Sequence, residues 1–360
     1  MRRLAIASLL LLGCFDWDVL SSTLGEQDLS ASGDLSVFDL AQTDLAQPDL
    51  AQPDLRMPDL AMPDLMPPTL SFTKQADAAG LGNKKANNAI FGYSAMHITA
   101  VGDGGVVART TNGKDWSIVT LAATTTQNLY DVWFLDDKVG WIVGMGSTAY
   151  QWDGSTWVVK AANLTNDVQA VFGSAANKVV AAGSADAVFR FDGTNWTKST
   201  NIAPKPGTQY GMWGTGLTFF SVGASNDTLN ITDVTQVRVA SDQGGGTVFR
   251  SVWGTSATNI LAVGYDGNTA IASKSNGVLW TKLNNVPTVG KLYAVWGVSA
   301  TEIWVGGENG QVMQYNDNTK VWSRFTVSGI PSNEIIKDIW AFDAANVWFV
   351  TDTGGIYKKN

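Results

Sequence analysis

The chain has 360 residues, 45% of them hydrophobic and only 16% charged, with 37 glycines; such a composition can bury a large core and leans towards β structure. Its formal charge of -8 is unevenly spread, because residues 15–68 hold eleven acids and one base, whereas residues 69–360 hold 21 of each. The globular part is therefore neutral, which removes the broad basic surface that nucleic-acid binding requires.

The N-terminus, MRRLAIASLLLLGC, places two arginines before an apolar run from Leu4 to Leu12. This is signal-peptide order, and the run is too short to span a bilayer as a mature helix. LLGC ends in the only cysteine of the chain and resembles the lipobox of bacterial lipoproteins. The resemblance implies removal of residues 1–13, lipidation of Cys14 and attachment to a membrane outside the cytoplasm. Phe15, not aspartate, follows the cysteine, so the outer membrane is the expected location. With Cys14 consumed, no disulfide can form within the chain, and the fold must rest on its core.

From Asp34 to Asp64 the dipeptide Asp-Leu recurs every five residues, joined by Pro48, Pro53, Pro58 and Pro63. A proline in each of these repeats deletes a donor wherever stacked strands need one, which argues against a pentapeptide solenoid. Residues 14–68 therefore read as a lipidated cysteine followed by a disordered, self-repelling linker. Stretched as polyproline, residues 25–68 would reach on the order of 130 Å.

Beyond the linker the sequence repeats. VWGTSATNILAVG, residues 252–264, returns as VWGVSATEIWVGG at 295–307 with 8 of 13 positions identical. Its aromatic recurs as Phe91, Trp133, Phe172, Trp213, Trp253, Trp296 and Trp340, at intervals of 39 to 44 residues. A period near 40 with short apolar runs and glycine-rich turns indicates propeller blades. LYDVWF, GWIVG, TAYQWDG and STWVVK spell out the four strands of one unit, the last entered through an Asp-Gly hairpin turn. The unit starting at MWGTGLTFFSVG is degenerate and lacks the turn tryptophan. The final unit stops after three strands, and LSFTKQ at 70–75 supplies the fourth, with Phe72 in the place of Trp196, Trp280 and Trp322. The expected fold is all-β: a seven-bladed β-propeller of four-stranded blades over residues 69–360, its last blade closed by the N-terminal strand of the domain. Trp133, Trp213, Trp253, Trp296 and Trp340 should wedge between blades, while Trp116, Trp157, Trp196, Trp280 and Trp322 should pack the outer strands.

LYDVWFLDDKVGWIVG and RTTNGKDWS resemble blades of the photosystem II stability and assembly factor-like propellers, which stand with the Asp-box (BNR) repeat proteins. The likeness spans about residues 70–360. It implies the fold and no single activity, because related blades occur in sialidases, assembly factors and bacterial surface lipoproteins. The turns here are shorter than a full S-x-D-x-G-x-x-W Asp-box.

Catalytic chemistry is poorly represented. His97 is the only histidine, which excludes a Ser-His-Asp or Cys-His site and a histidine-rich zinc site. A sialidase-like site needs converging arginines, yet Arg109 and Arg190 occupy the third strands of separate blades. Asp103, Asp186, Asp227, Asp266, Glu308 and Asp352 fall in the turns between second and third strands, the customary ligand face of a propeller. Such a rim is oxygen-rich enough for Ca²⁺, although aspartate beside glycine also serves local turn structure. The expectation is a monomeric, membrane-anchored binding or assembly module for a protein or glycan ligand, without enzyme activity and without nucleic acid. The alternatives are a glycan-active enzyme using paired carboxylates and an inert structural component of the envelope.

Overall fold

A computed structural model describes residues 67–77, 85–121, 123, 125–200, 207–232, 236–288 and 290–360. The expected signal peptide, Cys14 and the Asp-Leu repeats lie outside the described residues, as do residues 201–206 of one long connection. Among the described residues no helix is long and apolar enough to cross a membrane.

The strands form seven sheets, here blades I to VII. Their inner strands are Asn87–Ser94, Leu129–Phe134, Val168–Ala175, Gln209–Thr215, Thr247–Ser256, Leu292–Ser299 and Ile336–Asp343. Each inner strand packs on the next, and the seventh packs on the first, so the ring is closed. Within a blade the strands run antiparallel in sequence order, as in Val168–Ala175, Lys178–Gly183, Val188–Phe191 and Trp196–Lys198. Second strands such as Gly140–Gly144 are buried throughout, because blades cover both of their faces. This explains their continuous apolar runs.

Closure follows the expected scheme. Gly355–Lys359, the third strand of blade VII, pairs antiparallel with Thr69–Asp77, and Phe72 stands opposite Lys359. The corresponding pairs elsewhere are Trp157 with Trp152, Trp196 with Phe191 and Trp322 with Tyr315. Phe72 is buried and meets Phe349 edge-on at 4.9 Å.

Two features go beyond the repeat pattern. Blade IV has a complete fourth strand, Gln236–Arg238, despite lacking the turn tryptophan. Blades V and VII each gain a short fifth strand that runs parallel to the fourth: Ala240–Ser241 beside Leu279–Lys282, and Thr326–Ser328 beside Thr69–Asp77. These additions cover outer edges that would otherwise present unpaired backbone groups.

The repeated phrase is an interlock between blades. A Cβ placed on Gly173 would sit 2.5 Å from the Trp133 ring of the preceding blade. The same holds for Gly254 against Trp213, Gly297 against Trp253, and Gly92 against Trp340 across the closure. The tryptophan of one blade therefore requires the glycine of the next. In blade VII alanine takes the glycine's place, and Trp296 Nε1 donates to the Ala341 carbonyl at 3.0 Å. The glycine that ends the phrase has a separate cause: at Gly264 and Gly183 a Cβ would lie 1.9 Å from the carbonyl oxygens of Val248 and Asp167.

Polar side chains on the inner strands tie neighbouring blades together through backbone amides. Asp131 accepts from Val171 N at 2.8 Å, Ser251 accepts from Val295 N at 3.2 Å, and Asp338 accepts from Ile90 N at 2.9 Å. The last of these spans the junction of blades VII and I. Burial raises both carboxyls, Asp131 well above the usual range and Asp338 to about 7, against the opposing pull of backbone donors.

Candidate functional site

In every blade the pairing of the inner with the second strand slips by one residue. The residues left over are Asn88, Tyr130, Gln169, Tyr210, Arg250, Tyr293 and Lys337, each three positions before the blade's aromatic. A bulge re-aims the side chain of its extra residue, and all seven line one cavity of about 180 Å³ on the ring axis. Deeper in the same cavity lie Phe91, Trp133, Phe172 and Trp296. Phe91 and Trp296 meet edge-on at 5.3 Å, although blade VII stands between their blades in the ring, so aromatic rings crowd the channel below the mouth.

The mouth carries two cations and three phenols. The Arg250 guanidinium lies 4.2 Å from the Tyr210 ring centroid and 5.6 Å from that of Tyr293, and Lys337 Nζ is 5.7 Å from Tyr293. Around them Lys291 covers Tyr265, which in turn packs on Tyr293 with centroids 5.8 Å apart. Burial lowers the Lys337 ammonium, and the neighbouring charge of Arg250 lowers it further. Burial raises the Tyr293 and Tyr130 hydroxyls. Asn88 is already engaged, donating to the Leu129 carbonyl at 2.9 Å and to Asp103 Oδ1 at 2.8 Å.

The six acids of the second-to-third-strand turns surround this mouth, since those turns stand at the end of each blade where the inner strand begins. They do not converge on one point, and only Asp186 and Asp227 meet. Asp103 accepts from Asn88, Glu308 from Lys291 N at 3.0 Å, and Asp352 from Ile335 N at 2.8 Å. Asp186 and Asp227 are buried and share Arg238, with Asp186 Oδ2 at 2.8 Å from the guanidinium and Asp227 hydrogen-bonded to its Nη1. Gln209 joins both carboxylates, and Ser221 donates to Gln209 Oε1 at 2.7 Å. Asp266 is exposed at the end of its strand. Among the described residues no group of three or more His, Cys, Asp or Glu side chains is placed to hold a metal ion.

Arg109 and Arg190 do not converge, as expected; each reaches across to the next blade instead. Arg109 stacks 4.1 Å from the Trp152 ring centroid and donates to the Tyr93 hydroxyl at 3.3 Å, and Arg190 donates to the Thr232 carbonyl at 3.0 Å. His97 stacks on Tyr93 with centroids 4.9 Å apart, and its Nδ1 is 3.0 Å from Ser94 Oγ. The channel ring is absent from the sequence reading. It forms a column of the repeat alignment, polar or aromatic at a buried strand, but its chemistry changes from blade to blade, and apolar periodicity passes over it.

No protein-family model and no curated protein matches the chain. Among solved structures it is similar to "YCF48 bound to D1 peptide", with a TM-score of 0.64 and 14% identity over 81% of this chain and 99% of that one. It is also similar to "YCF48 from Cyanidioschyzon merolae", with a TM-score of 0.63 and 14% identity over 80% of this chain and 98% of that one. A third similar structure is the WD40 β-propeller domain of Doa1, with a TM-score of 0.65 and 10% identity over 80% and 96%. At these identities the likeness is one of fold.

Proposed function

We propose that this protein is a lipid-anchored binding module that holds a protein ligand against the mouth of its propeller channel, outside the cytoplasm. The observation that carries the reading is the ring itself. At the one place where all seven blades converge, Arg250 and Lys337 stand half-buried among tyrosines, without a carboxylate in ion-pair contact among the described residues. Buried cations of that kind are more useful to a ligand than to the fold. LLGC and the acidic, proline-bearing linker support presentation at a distance from a membrane, with the outer membrane as the proposed site. A propeller of the same fold is described as bound to a D1 peptide, which favours a protein over a glycan as the class of ligand. An assembly role fits the same geometry.

Site-specific crosslinking tests this. A benzophenone amino acid is placed at Met145 or Asp266 on the mouth face, and at Met96 or Leu217 on the opposite face, in the full chain in cells. Discrete protein adducts are expected from the mouth face only. Equal labelling of both faces, no adducts at all, or turnover of a glycan by the purified chain would overturn the proposal.

A further inference from the structure

The geometry points to a single carboxylate of a peptide as the group bound in the channel mouth, an aspartate or glutamate side chain or a chain terminus, flanked by neutral or basic residues. This inference rests on the reading of the protein as a protein-binding module and adds the chemistry of the contact.

Arg250 and Lys337 belong to blades V and VII, and Tyr293 of blade VI stands between them, with both cations near its ring at 5.6 and 5.7 Å. Tyr210 lies 4.2 Å from the guanidinium. Stacking occupies the faces of a guanidinium and leaves its edge donors free for a carboxylate, which they match in a fork. Among the described residues neither cation has a hydrogen-bonded or ion-paired partner. Two like charges beside one tyrosine in a half-buried ring disfavour each other, and an anion between them relieves the repulsion.

The surroundings narrow the ligand. Asp103, Glu308 and Asp352 stand on the rim, and their carboxylates are tied to Asn88, Lys291 N and Ile335 N rather than to the central cations. A polyanion would meet this rim with repulsion, whereas one carboxylate with basic flanks complements both centre and rim. The cavity, about 180 Å³ above its aromatic floor, admits one side chain or chain end and no extended polymer.

The test uses the full chain in detergent micelles, titrated calorimetrically with four probes. Two are Ac-Lys-Gly-Glu-Gly-Lys-amide and its glutamine counterpart; two are Ac-Lys-Gly-Gly with a free and with an amidated C-terminus. One acid probe of the two pairs is expected to bind about ten- to a hundredfold more tightly than its amide, and the pair that shows the difference identifies the source of the carboxylate. Lys337→Gln should abolish that difference. Arg250→Gln is the second variant should the first fail to keep the wild-type thermal transition. Equal binding of acid and amide, no binding of any probe, an undiminished difference in both variants, or tighter binding of sialyllactose than of the peptides would overturn the inference. A partner that crosslinks from the mouth face with equal yield in Lys337→Gln leaves the binding-module reading standing and removes this one.

Discussion

Replacing Gly297 by alanine isolates the interlock that holds the ring together. The new Cβ would lie 2.6 Å from Trp253 Cη2 and 2.7 Å from Cζ2 and Cζ3, and these ring atoms are its three nearest neighbours. Carbon atoms prefer about 3.5–4.0 Å, so the indole must withdraw by about 1 Å. It has little room, being only 7% exposed and packed in a cluster with Val252, Leu292 and Val295. Overpacking of this kind costs roughly 1–3 kcal/mol. The backbone of Gly297 is outside the left-handed region, so alanine should return about 0.4–1 kcal/mol through the unfolded chain. The expected net loss is on the order of 1–2 kcal/mol. In a Trp253→Ala background, itself costing about 3–5 kcal/mol, the collision disappears. There Gly297→Ala should be neutral or slightly stabilising, and the double-mutant cycle should show a coupling of roughly 1–3 kcal/mol. Denaturant unfolding of the full chain followed by far-ultraviolet circular dichroism measures all four species. Equal losses from Gly297→Ala with and without Trp253 would refute the interlock.

Other perturbations address the seams, the buried network and the anchor. Asp338 has its folded pKa raised by burial to about 7 from 3.8; the folded state then binds more protons across that window, and stability should fall as pH rises from about 4 to about 7. Asp338→Asn should flatten part of that slope, leaving the share of Asp131, which is raised in the same direction; an unchanged slope would contradict the assignment. Arg238→Ala leaves Asp186 and Asp227 buried without their shared cation, and a loss of about 3 kcal/mol or more is expected in denaturant unfolding; adding Asp186→Asn and Asp227→Asn should recover much of it. Cys14→Ser should move the chain from the membrane to the soluble fraction on cell fractionation, and retention in the membrane would remove the lipoprotein reading.

Much of the architecture was legible in the chain because propeller blades repeat a local grammar. Anchor aromatics at a period near 40, an Asp-Gly turn in two of the units and a last unit short of one strand were enough to number the blades and to place Phe72 in the closing strand. The wedge role of the tryptophans was legible too, since five large aromatics at one blade position have few other places to go. The reason for the glycine that faces four of them was not, because a ring of the neighbouring blade fills the space its side chain would take.

The candidate site divides in the same way. The turn acids could be placed on one face from the repeat alone, yet their partners could not: Asp186 and Asp227 meet over Arg238 only when blades III and IV stand side by side, and Glu308 and Asp352 are spent on the connections that enter their own blades. The bulge that turns Arg250 and Lys337 towards the ring axis is a matter of register, which depends on how two strands pair rather than on what either contains. By itself, then, the sequence determined the number of blades, their strand order and the closing strand, all of which follow from hydrophobic patterning within single repeats. The channel mouth was decided only by the tertiary structure, because it is assembled from one unpaired residue of each blade and exists only where seven of them face one another.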